Sequence, residues 1–539
     1  MASFATPSPG LPPGVLRGNR GDYDKNNMEE GGISSHHHQQ RSFSSSLLTT
    51  SSSRCAANTT TELVDPIEGG GDVKAERRDR SSTEDIFFIT PPMNSPSRRG
   101  TKSSSVVNLV ATMIGGGVLS LPYAISRGGV VAGTLFLLLS SILSAFSLGL
   151  LISCARRTGA QSYQDVAAAA FGATASRITL VLLALLTFLA TVGYMILIRD
   201  LATPITTEYI WDFSNATKAD QRWYDDAVAA ICLAPFIPLC FARTLNSLRF
   251  ASFASLMALL VLAVAIFYKC IERRHAVPID PNKITYFPKS FGDALYAFPF
   301  MQVAFMCHFN ILPTHTSLVR PTRKRLNHVV DATIGFACLF YLLVAHSGYM
   351  YAYDLDVGVS DNILNNFSNG DILINIGRAG LLMSLLLSIP LLILPCRDSI
   401  LKLWKEFASP SERAMSTSAR DRLLPPSRIP SDVSYVSVTP ERPPSTRAHI
   451  TVTCLIILAT FSLMVLVPDI ATVWNLTGST VSIILGFIMP SAFYLKLTRE
   501  SMWTSRRKQT MCLLVFSCIV FVCCTIESVY SAATGDHSS

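Results

Sequence analysis

The chain has 539 residues, of which 49% are hydrophobic and only 15% are charged. Soluble domains carry about 25% charged residues, so this composition argues against a soluble enzyme of several domains. The many Leu, Ile, Val and Phe residues exclude disorder of the whole chain. The net charge of +8 is compatible with binding to nucleic acid or to an anionic surface, and its position along the chain decides between these interpretations.

The first 103 residues differ in composition from the rest. They are rich in Ser, Pro, Gly and Asn, and they hold twelve basic and twelve acidic side chains. No apolar stretch among them is long enough to form a core, so we predict a disordered cytoplasmic tail over 1–103. No apolar region follows Met1, and a secretory signal peptide is therefore not expected.

Residues 104–530 hold a series of apolar segments, each close to the roughly 20 residues that cross a bilayer as a helix. They predict an all-α integral membrane protein with about eleven transmembrane helices. The predicted helices are 104–126, 131–154, 176–198, 226–242, 248–268, 291–316, 328–353, 373–396, 448–467, 474–495 and 509–530. The Pro/Ser/Arg-rich stretch 397–447 is predicted to be a disordered cytoplasmic linker, and 531–539 a short outer or lumenal C-terminus.

Basic residues concentrate on one side of this arrangement. With the tail in the cytoplasm, the predicted inner segments hold 23 Lys and Arg and the outer loops hold 9. This asymmetry follows the positive-inside rule and accounts for the net charge without nucleic acid. Glycosylation sequons at Asn215 and Asn366 both fall on the predicted outer side. Nearly all cysteines lie within predicted helices, so no disulfide framework or cysteine metal site is expected.

The first predicted helix contains three consecutive glycines, Gly115, Gly116 and Gly117, followed by Pro122. Each mid-helix glycine costs about 1 kcal/mol relative to alanine, and unwound backbone persists at membrane depth only where it lines a cavity. The pattern predicts a broken helix whose second half presents N–H groups to a cavity, a suitable site for a carboxylate. The alternative is that the glycines only allow a neighbouring helix to pack closely.

The sixth predicted helix contains Pro299 and Pro313, each of which removes a backbone hydrogen bond. Between them Gln302, His308 and Asn310 are predicted to line the same cavity, although a lone intramembrane histidine is also compatible with packing. Breaks in helices one and six are five helices apart. This spacing predicts an inverted five-plus-five repeat with the substrate held between the breaks.

Helix eight carries Ser384 and Ser388 ahead of Pro390. Their hydroxyls are candidate Na⁺ ligands, together with carbonyl groups released in helix one, because hard cations take oxygen ligands. Bonding back to the helix's own carbonyls is the alternative. Arg378 in helix eight and Glu527 in helix eleven are expected to reach the surface or to pair with outer charges.

Four sequence elements resemble those of the amino acid/auxin permease superfamily, above all sodium-coupled neutral amino acid transporters and vacuolar amino acid transporters. Ser105 to Tyr123 matches their SVxNLxxxxxGxGxLxLPYA pattern, and Cys307 to Pro313 matches CHxxxLP. Ser388 to Arg397 resembles TVP…PxR, and Ile488 to Lys496 resembles LPSAFYxKL. The matches occur in the family's order over about 104–530.

This resemblance implies a LeuT-type fold and secondary active transport of amino acids by alternating access, coupled to Na⁺ or H⁺. It implies substrate binding by the unwound segment of the first helix, and it carries the sixth-helix histidine onto His308. The candidate substrate-binding residues are Thr112, Gly115, Gly116, Gly117, Gln302 and His308.

The resemblance also implies an ion site at Asn108 and Ser388, to which Ser384 is added. Sodium-coupled members have a second asparagine where this chain has Ala111. Sodium dependence is therefore in doubt, and proton coupling stays open.

Two functions follow. The first is transport, with neutral L-amino acids as substrates and the lipid bilayer as surroundings. The alternative is an amino-acid sensor that signals through its cytoplasmic tail and binds regulatory proteins there. No nucleic-acid partner or cofactor is expected. The sequence contains no P-loop, GxSxG or HExxH motif, so an enzyme is not expected. It also contains no selectivity-filter repeat, so a carrier is favoured over a channel.

Overall fold

The computed structural model describes residues 98–210, 217–242, 249–408, 445–467, 469–498 and 504–534. Regular structure in these ranges is helical, apart from an isolated bridge between Gly100 and Leu318. Ten of the described helices are long and apolar enough to span a membrane, and a bent pair of shorter helices makes an eleventh span. The predicted all-α membrane architecture with about eleven spans is confirmed. Residues 1–97 of the predicted tail and the sequon residue Asn215 lie outside the described residues.

The helices are numbered in chain order. They are α1 (Lys102–Met113), α2 (Leu121–Gly128), α3 (Val130–Thr158), α4 (Tyr163–Phe171), α5 (Ala173–Tyr209), α6 (Lys218–Leu233), α7 (Ile237–Cys240), α8 (Arg249–Ala276), α9 (Phe291–Ala304), α10 (His308–Ser317), α11 (Arg323–Ala352), α12 (Ile372–Ala408), α13 (Thr446–Leu466), α14 (Ile470–Thr477), α15 (Met489–Leu497) and α16 (Ser505–Thr534). The first span is α1 with α2, the fourth α6 with α7, the sixth α9 with α10, and the tenth α14 with α15. Each remaining span is a single helix: α3 is the second, α5 the third, α8 the fifth, α11 the seventh, α12 the eighth, α13 the ninth and α16 the eleventh.

The first span is broken between its two halves, which are bent by 52°. A short 3₁₀ segment, Gly116–Ser120, leads into α2. Pro122 lies in the first turn of α2. Backbone N–H groups in the first turn have no partner within the helix, so the lack of one at proline costs nothing there. The predicted broken helix is therefore observed, with the glycines at the break and the proline at the start of the second half.

The sixth span is interrupted at Phe305–Cys307, between α9 and α10. The two prolines do not lie at this break: Pro299 is inside α9 and Pro313 inside α10. Spans one and six are thus both interrupted, at the separation that a five-plus-five repeat requires. The tenth span has an irregularity that the sequence analysis did not predict, two π-helical turns at Gly478–Ser482 and Ile484–Ile488.

Successive spans run in opposite directions, and we call the side on which α1 begins the tail side and the opposite one the far side. On the tail side, the Gly100–Leu318 bridge joins the segment before α1 to the end of α10. On the far side, Arg127 at the end of α2 pairs with Asp293 at the start of α9, at 3.1 Å. The two interrupted spans are therefore tied together at both membrane faces.

Two helices extend further than predicted. α12 continues through Ala408, so the predicted linker 397–447 begins as helix. The cause is Arg397, which is buried and donates hydrogen bonds to the carbonyl oxygens of Cys240 and Ala242, at 2.9 and 3.2 Å. α16 runs to Thr534, which makes the first residues of the predicted C-terminal segment helical.

Arg378 does not reach the surface, which was one of the two outcomes expected from the sequence. Its side chain is fully buried and donates to Asn375 Oδ1 at 2.8 Å and to the carbonyl oxygens of Leu364 and Phe367 at 2.7 and 3.2 Å. These carbonyl groups belong to the loop before α12. Since a buried guanidinium must be hydrogen-bonded, the arginine fixes this far-side loop onto the helix bundle.

Candidate functional site

A cavity of about 70 Å³ lies where the two interrupted spans meet. The first span contributes residues on both sides of its break, and the third, sixth, eighth and tenth spans complete the wall. The lining residues are Thr112, Met113, Gly115, Gly117, Leu186, Thr187, Ala190, Tyr194, Val303, Ala304, Met306, Phe309, Leu392, Trp474 and Thr477. The volume is far below the roughly 300–1,000 Å³ of pockets for drug-sized ligands, so this cavity suits only a small ligand.

The break in the first span changes the backbone hydrogen bonds beside the cavity. The Gly115 N–H donates to the Met113 carbonyl oxygen at 3.0 Å, and the Ala111 carbonyl therefore lacks its α-helical donor. The Val118 N–H donates to the Gly115 carbonyl at 3.3 Å, which starts the 3₁₀ segment. Backbone oxygens and N–H groups of the two half-helices thus meet at one depth, as expected of a site for a zwitterion.

The three glycines have different surroundings. A Cβ at Gly115 would overlap the Tyr194 hydroxyl, and one at Gly116 would overlap Leu197, whereas one at Gly117 would meet no atom within 4 Å. Gly115 and Gly116 therefore allow the third span to approach the break closely, and Gly117 opens into the cavity. Both interpretations of the glycine run hold, because the helix is broken and its glycines also permit close packing.

Asn310 connects the two interrupted spans. Its Nδ2 donates to Thr112 Oγ1 at 2.8 Å, while the Thr112 hydroxyl donates to the Asn108 carbonyl oxygen, also at 2.8 Å. The predicted site residue Thr112 is therefore placed at the cavity, with its hydroxyl held by one bond along α1 and one from α10.

Tyr341 of α11 makes a second connection between the breaks. Its buried hydroxyl lies 2.9 Å from the Met113 carbonyl oxygen and 2.8 Å from the Ala304 carbonyl oxygen. These two carbonyl groups end α1 and α9, the first halves of the two interrupted spans. A single hydroxyl is thus placed between the carbonyl oxygens at two helix ends, where such groups lack partners within their own helix.

The other two candidate residues of the sixth span, Gln302 and His308, are fully buried but do not line the cavity. Gln302 Nε2 donates to the Ser482 carbonyl oxygen at 3.4 Å, and both side chains lie against Gly486. Their two contact residues, Ser482 and Gly486, belong to the π-helical part of the tenth span. Neither ring nitrogen of His308 has a hydrogen-bond partner among the described residues.

The three predicted ion-binding residues have different surroundings. Asn108 is exposed on α1. Ser384 is hydrogen-bonded through its hydroxyl to Ser255 of α8, and the Ser388 hydroxyl donates to the Ser384 carbonyl oxygen at 2.8 Å. Ser388 thus adopts the helical back-bonding that was the alternative to cation binding. No group of three or more metal-ligating His, Cys, Asp or Glu side chains occurs in the described ranges.

Sequence reasoning missed the aromatic residues of the cavity wall, Tyr194 of the third span and Trp474 of the tenth. Their rings lie edge to face with centroids 6.3 Å apart, and a hydrogen bond joins the Tyr194 hydroxyl to the Gly116 backbone. The detectable signal was a polar aromatic residue in mid-membrane, among the threonines of an otherwise apolar helix.

The remaining glycosylation candidate, Asn366, lies in the far-side loop before α12. Its Nδ2 donates to the Gly358 carbonyl oxygen at 2.7 Å, and its Oδ1 accepts from the Ser360 N–H at 2.9 Å. A glycan would replace one of the two Nδ2 hydrogens and leave the other as a donor. Modification of Asn366 remains a prediction.

The fold is similar to two solved structures. One is MHP1, a nucleobase-cation-symport-1 family transporter in a closed conformation with bromovinylhydantoin bound, at 13% identity and a TM-score of 0.48 over 81% of this chain and 94% of that one. The other is MhsT in complex with L-phenylalanine, at 11% identity and a TM-score of 0.43 over 79% and 98% of the two chains.

The sequence matches a family model described as "transmembrane amino acid transporter protein" over residues 98–532. This range holds both interrupted spans, the cavity between them and the motifs at Ser105–Tyr123, Cys307–Pro313 and Ile488–Lys496. The chain is a multi-pass membrane protein that belongs to the transmembrane amino acid transporter family, within the amino acid/auxin permeases.

Proposed function

We propose that this protein is a secondary active transporter of small neutral L-amino acids, which bind in the cavity between the first and sixth spans. The observation that carries the proposal is the chemistry of the cavity wall. Its described lining residues include no Asp, Glu, Lys, Arg or His, so nothing there would pair with a charged substrate side chain.

The backbone at the break offers complementary groups for the charged ends of an amino acid. The substrate carboxylate would bind the Gly117 N–H in the first turn of the 3₁₀ segment, at the positive end of a half-helix. Its ammonium group would lie near the carbonyl ends of α1 and α9. The side chain would then face Tyr194, Phe309 and Trp474, which are apolar or aromatic.

For the coupling ion we propose H⁺ rather than Na⁺. Two features support this choice: the Ser384 and Ser388 hydroxyls already have protein partners, and Ala111 stands where sodium-coupled members have a second asparagine. His308 also supports it. An ionisable side chain buried in a membrane span is by default a functional candidate, and this one has no hydrogen-bond partner among the described residues.

We further propose that the tail side faces the cytoplasm. The support is the excess of Lys and Arg in the segments that join the spans on that side.

Transport is tested by uptake of labelled amino acids into liposomes that contain the purified protein. Gly117→Leu should abolish uptake of a neutral amino acid, since the new side chain fills the cavity without meeting packed atoms. Gly335→Leu is the matched control, because Gly335 is an exposed helical glycine whose Cβ would also meet nothing within 4 Å. Normal uptake by Gly117→Leu would overturn the site assignment.

The coupling ion is tested in the same liposomes. An inward pH gradient without Na⁺ should drive accumulation, and a Na⁺ gradient at equal pH should not. His308→Gln should abolish the response to the pH gradient and retain exchange of labelled for unlabelled amino acid. Accumulation that needs Na⁺, or an unchanged pH response in the variant, would contradict proton coupling through His308.

A further inference from the structure

A second, larger depression of about 820 Å³ lies on the tail side, away from the breaks in the first and sixth spans. It is a groove between the second, seventh and eleventh spans, at the ends where α3 finishes and α11 and α16 begin. Four arginines line it, Arg156, Arg157, Arg323 and Arg506, together with one carboxylate, Asp331. Positive charge therefore predominates in this groove.

The two ends of the groove differ in polarity. The arginines lie at the helix ends, whereas Ala145, Phe146, Gly149 and Ile152 continue the same wall along α3 toward the membrane interior. The wall is thus charged where lipid headgroups lie and apolar where acyl chains lie. The transport cavity has no such gradient.

The positive charge of Arg506 is held in place by neutral groups. Its guanidinium donates to Ser153 Oγ at 3.1 Å and to the Gly149 carbonyl oxygen at 3.4 Å, and it lies 5.3 Å from the centre of the Tyr494 ring. Arg156 and Arg323 line the same groove, and their like charges repel each other. An anion between these side chains would relieve that repulsion.

We propose that this groove is a binding site for an anionic phospholipid of the tail-side leaflet. The phosphate and any further acidic group of the headgroup would bind Arg323 and Arg506, because planar guanidinium groups donate in pairs to phosphate oxygens. The first part of an acyl chain would lie on Phe146 and Ile152. Lipid is favoured over a soluble anion because the apolar wall continues below the charged one, and this inference does not depend on the proposed transport activity.

The test uses the full-length protein in an uncharged detergent and measures the thermal unfolding midpoint as lipid is added. Dioleoyl phosphatidylserine should raise the midpoint at lower concentration than dioleoyl phosphatidylcholine. The double variant Arg323→Gln/Arg506→Gln should weaken the apparent affinity for phosphatidylserine at least about tenfold, given that a basic residue near an anionic membrane contributes about a fivefold change. Arg323→Gln alone, at an exposed position, should show part of the effect if the double variant does not fold.

Two matched variants distinguish binding in this groove from nonspecific attraction between anionic lipid and basic residues of the protein. Lys324→Gln removes a charge beside Arg323 from a residue that does not line the groove, and should change nothing. Gly149→Leu adds bulk to the apolar wall, where a Cβ would meet only Arg506 Nη2 at 3.9 Å, and should weaken phosphatidylserine binding without a change of charge.

Three outcomes would overturn the proposal. They are an equal response to phosphatidylcholine, an unchanged affinity in both the double variant and Gly149→Leu, and a midpoint shift by inorganic phosphate as large as that by phosphatidylserine. The last outcome would identify the groove as a site for small anions.

Discussion

The side-chain amide of Asn310 donates a 2.8 Å hydrogen bond to the hydroxyl of Thr112, and so links α10 to α1 beside the cavity between the interrupted spans. Thr112 in turn donates to the Asn108 carbonyl oxygen. This side-chain pair and the Tyr341 hydroxyl both connect the two interrupted spans.

A double-mutant cycle on this pair should reveal coupling. Thr112→Val keeps the shape of the side chain and removes the acceptor, so the Asn310 amide loses a partner at a half-buried position, at a cost of about 1–3 kcal/mol. Adding Asn310→Leu should cost less than the sum of the single changes, with a coupling of about 0.5–1.5 kcal/mol in the free energy of unfolding. Strictly additive losses in detergent-solubilised protein would show that the bond contributes nothing.

The break in the first span was predictable because glycine and proline act on the backbone locally. Three adjacent glycines weaken any helix, whatever surrounds it. The interruption of the sixth span was also predicted, but its position did not follow from the prolines, since Pro299 and Pro313 are accommodated inside α9 and α10. Neighbouring helices can satisfy the carbonyl groups that a proline frees in a membrane helix, and no sequence pattern states where those neighbours lie.

The other features that the sequence did not reveal depend on contacts between residues far apart in the chain. In the sequence, Tyr341 and Trp474 look like ordinary aromatic residues of apolar helices. Only the fold shows that Tyr341 contacts the end of α1 and that Trp474 lines the cavity. Arg378 was expected to reach the surface or to pair with an outer acid, because a charge near a helix end usually extends to water. The loop carbonyls of Leu364 and Phe367 that it binds could not be foreseen. Helix positions were accessible from the sequence, whereas the contacts that assemble the site were not.

Replacement of Tyr341 should separate site geometry from folding. Tyr341→Phe keeps the ring and leaves the Met113 and Ala304 carbonyl oxygens without their shared donor. We expect uptake to fall roughly tenfold, which corresponds to about 1.4 kcal/mol and lies within the cost of one unpaired buried group. Tyr349→Phe is the control on the same helix, because its hydroxyl accepts from the Thr285 N–H far from the breaks. Equal uptake by the two variants would refute a role for Tyr341 in the site.

The segment before α1 is fixed to the end of α10 by Arg98. Its buried guanidinium donates to the carbonyl oxygens of His315 and Leu318 at 2.8 and 3.0 Å, where a helix C-terminus carries partial negative charge. Arg98→Gln should release the tail-side end of α1, and amide hydrogen exchange in peptides covering 98–121 should become faster. Lys102→Gln changes an exposed residue of the same segment and should leave exchange as it is. Unchanged exchange in Arg98→Gln would mean that the backbone bridge alone holds this end.

Asp354, in the far-side loop after α11, should stabilise the folded protein at neutral pH and lose this effect in acid. Its carboxylate lies 2.8 Å from Arg274 and 3.2 Å from Arg273. Burial raises the pKa of Asp354, but the hydrogen bonds and charges of the two arginines outweigh burial and hold the pKa below its usual value near 4. A carboxyl group with a lowered folded-state pKa stabilises the protein fully above its unfolded pKa, and this contribution is lost as the pH falls through the folded pKa.

The thermal unfolding midpoint of Asp354→Asn should therefore lie below that of the wild type at pH 7, and the difference should shrink as the pH falls below about 4. The variant also leaves Arg273 and Arg274 side by side without this counter-ion, which adds to the loss at neutral pH. Asp356→Asn, at an exposed position two residues away, is the matched control and should follow the wild-type profile. A difference between wild type and Asp354→Asn that stays constant from pH 7 to pH 3 would contradict the ion pair, because only loss of the carboxylate charge can make it shrink.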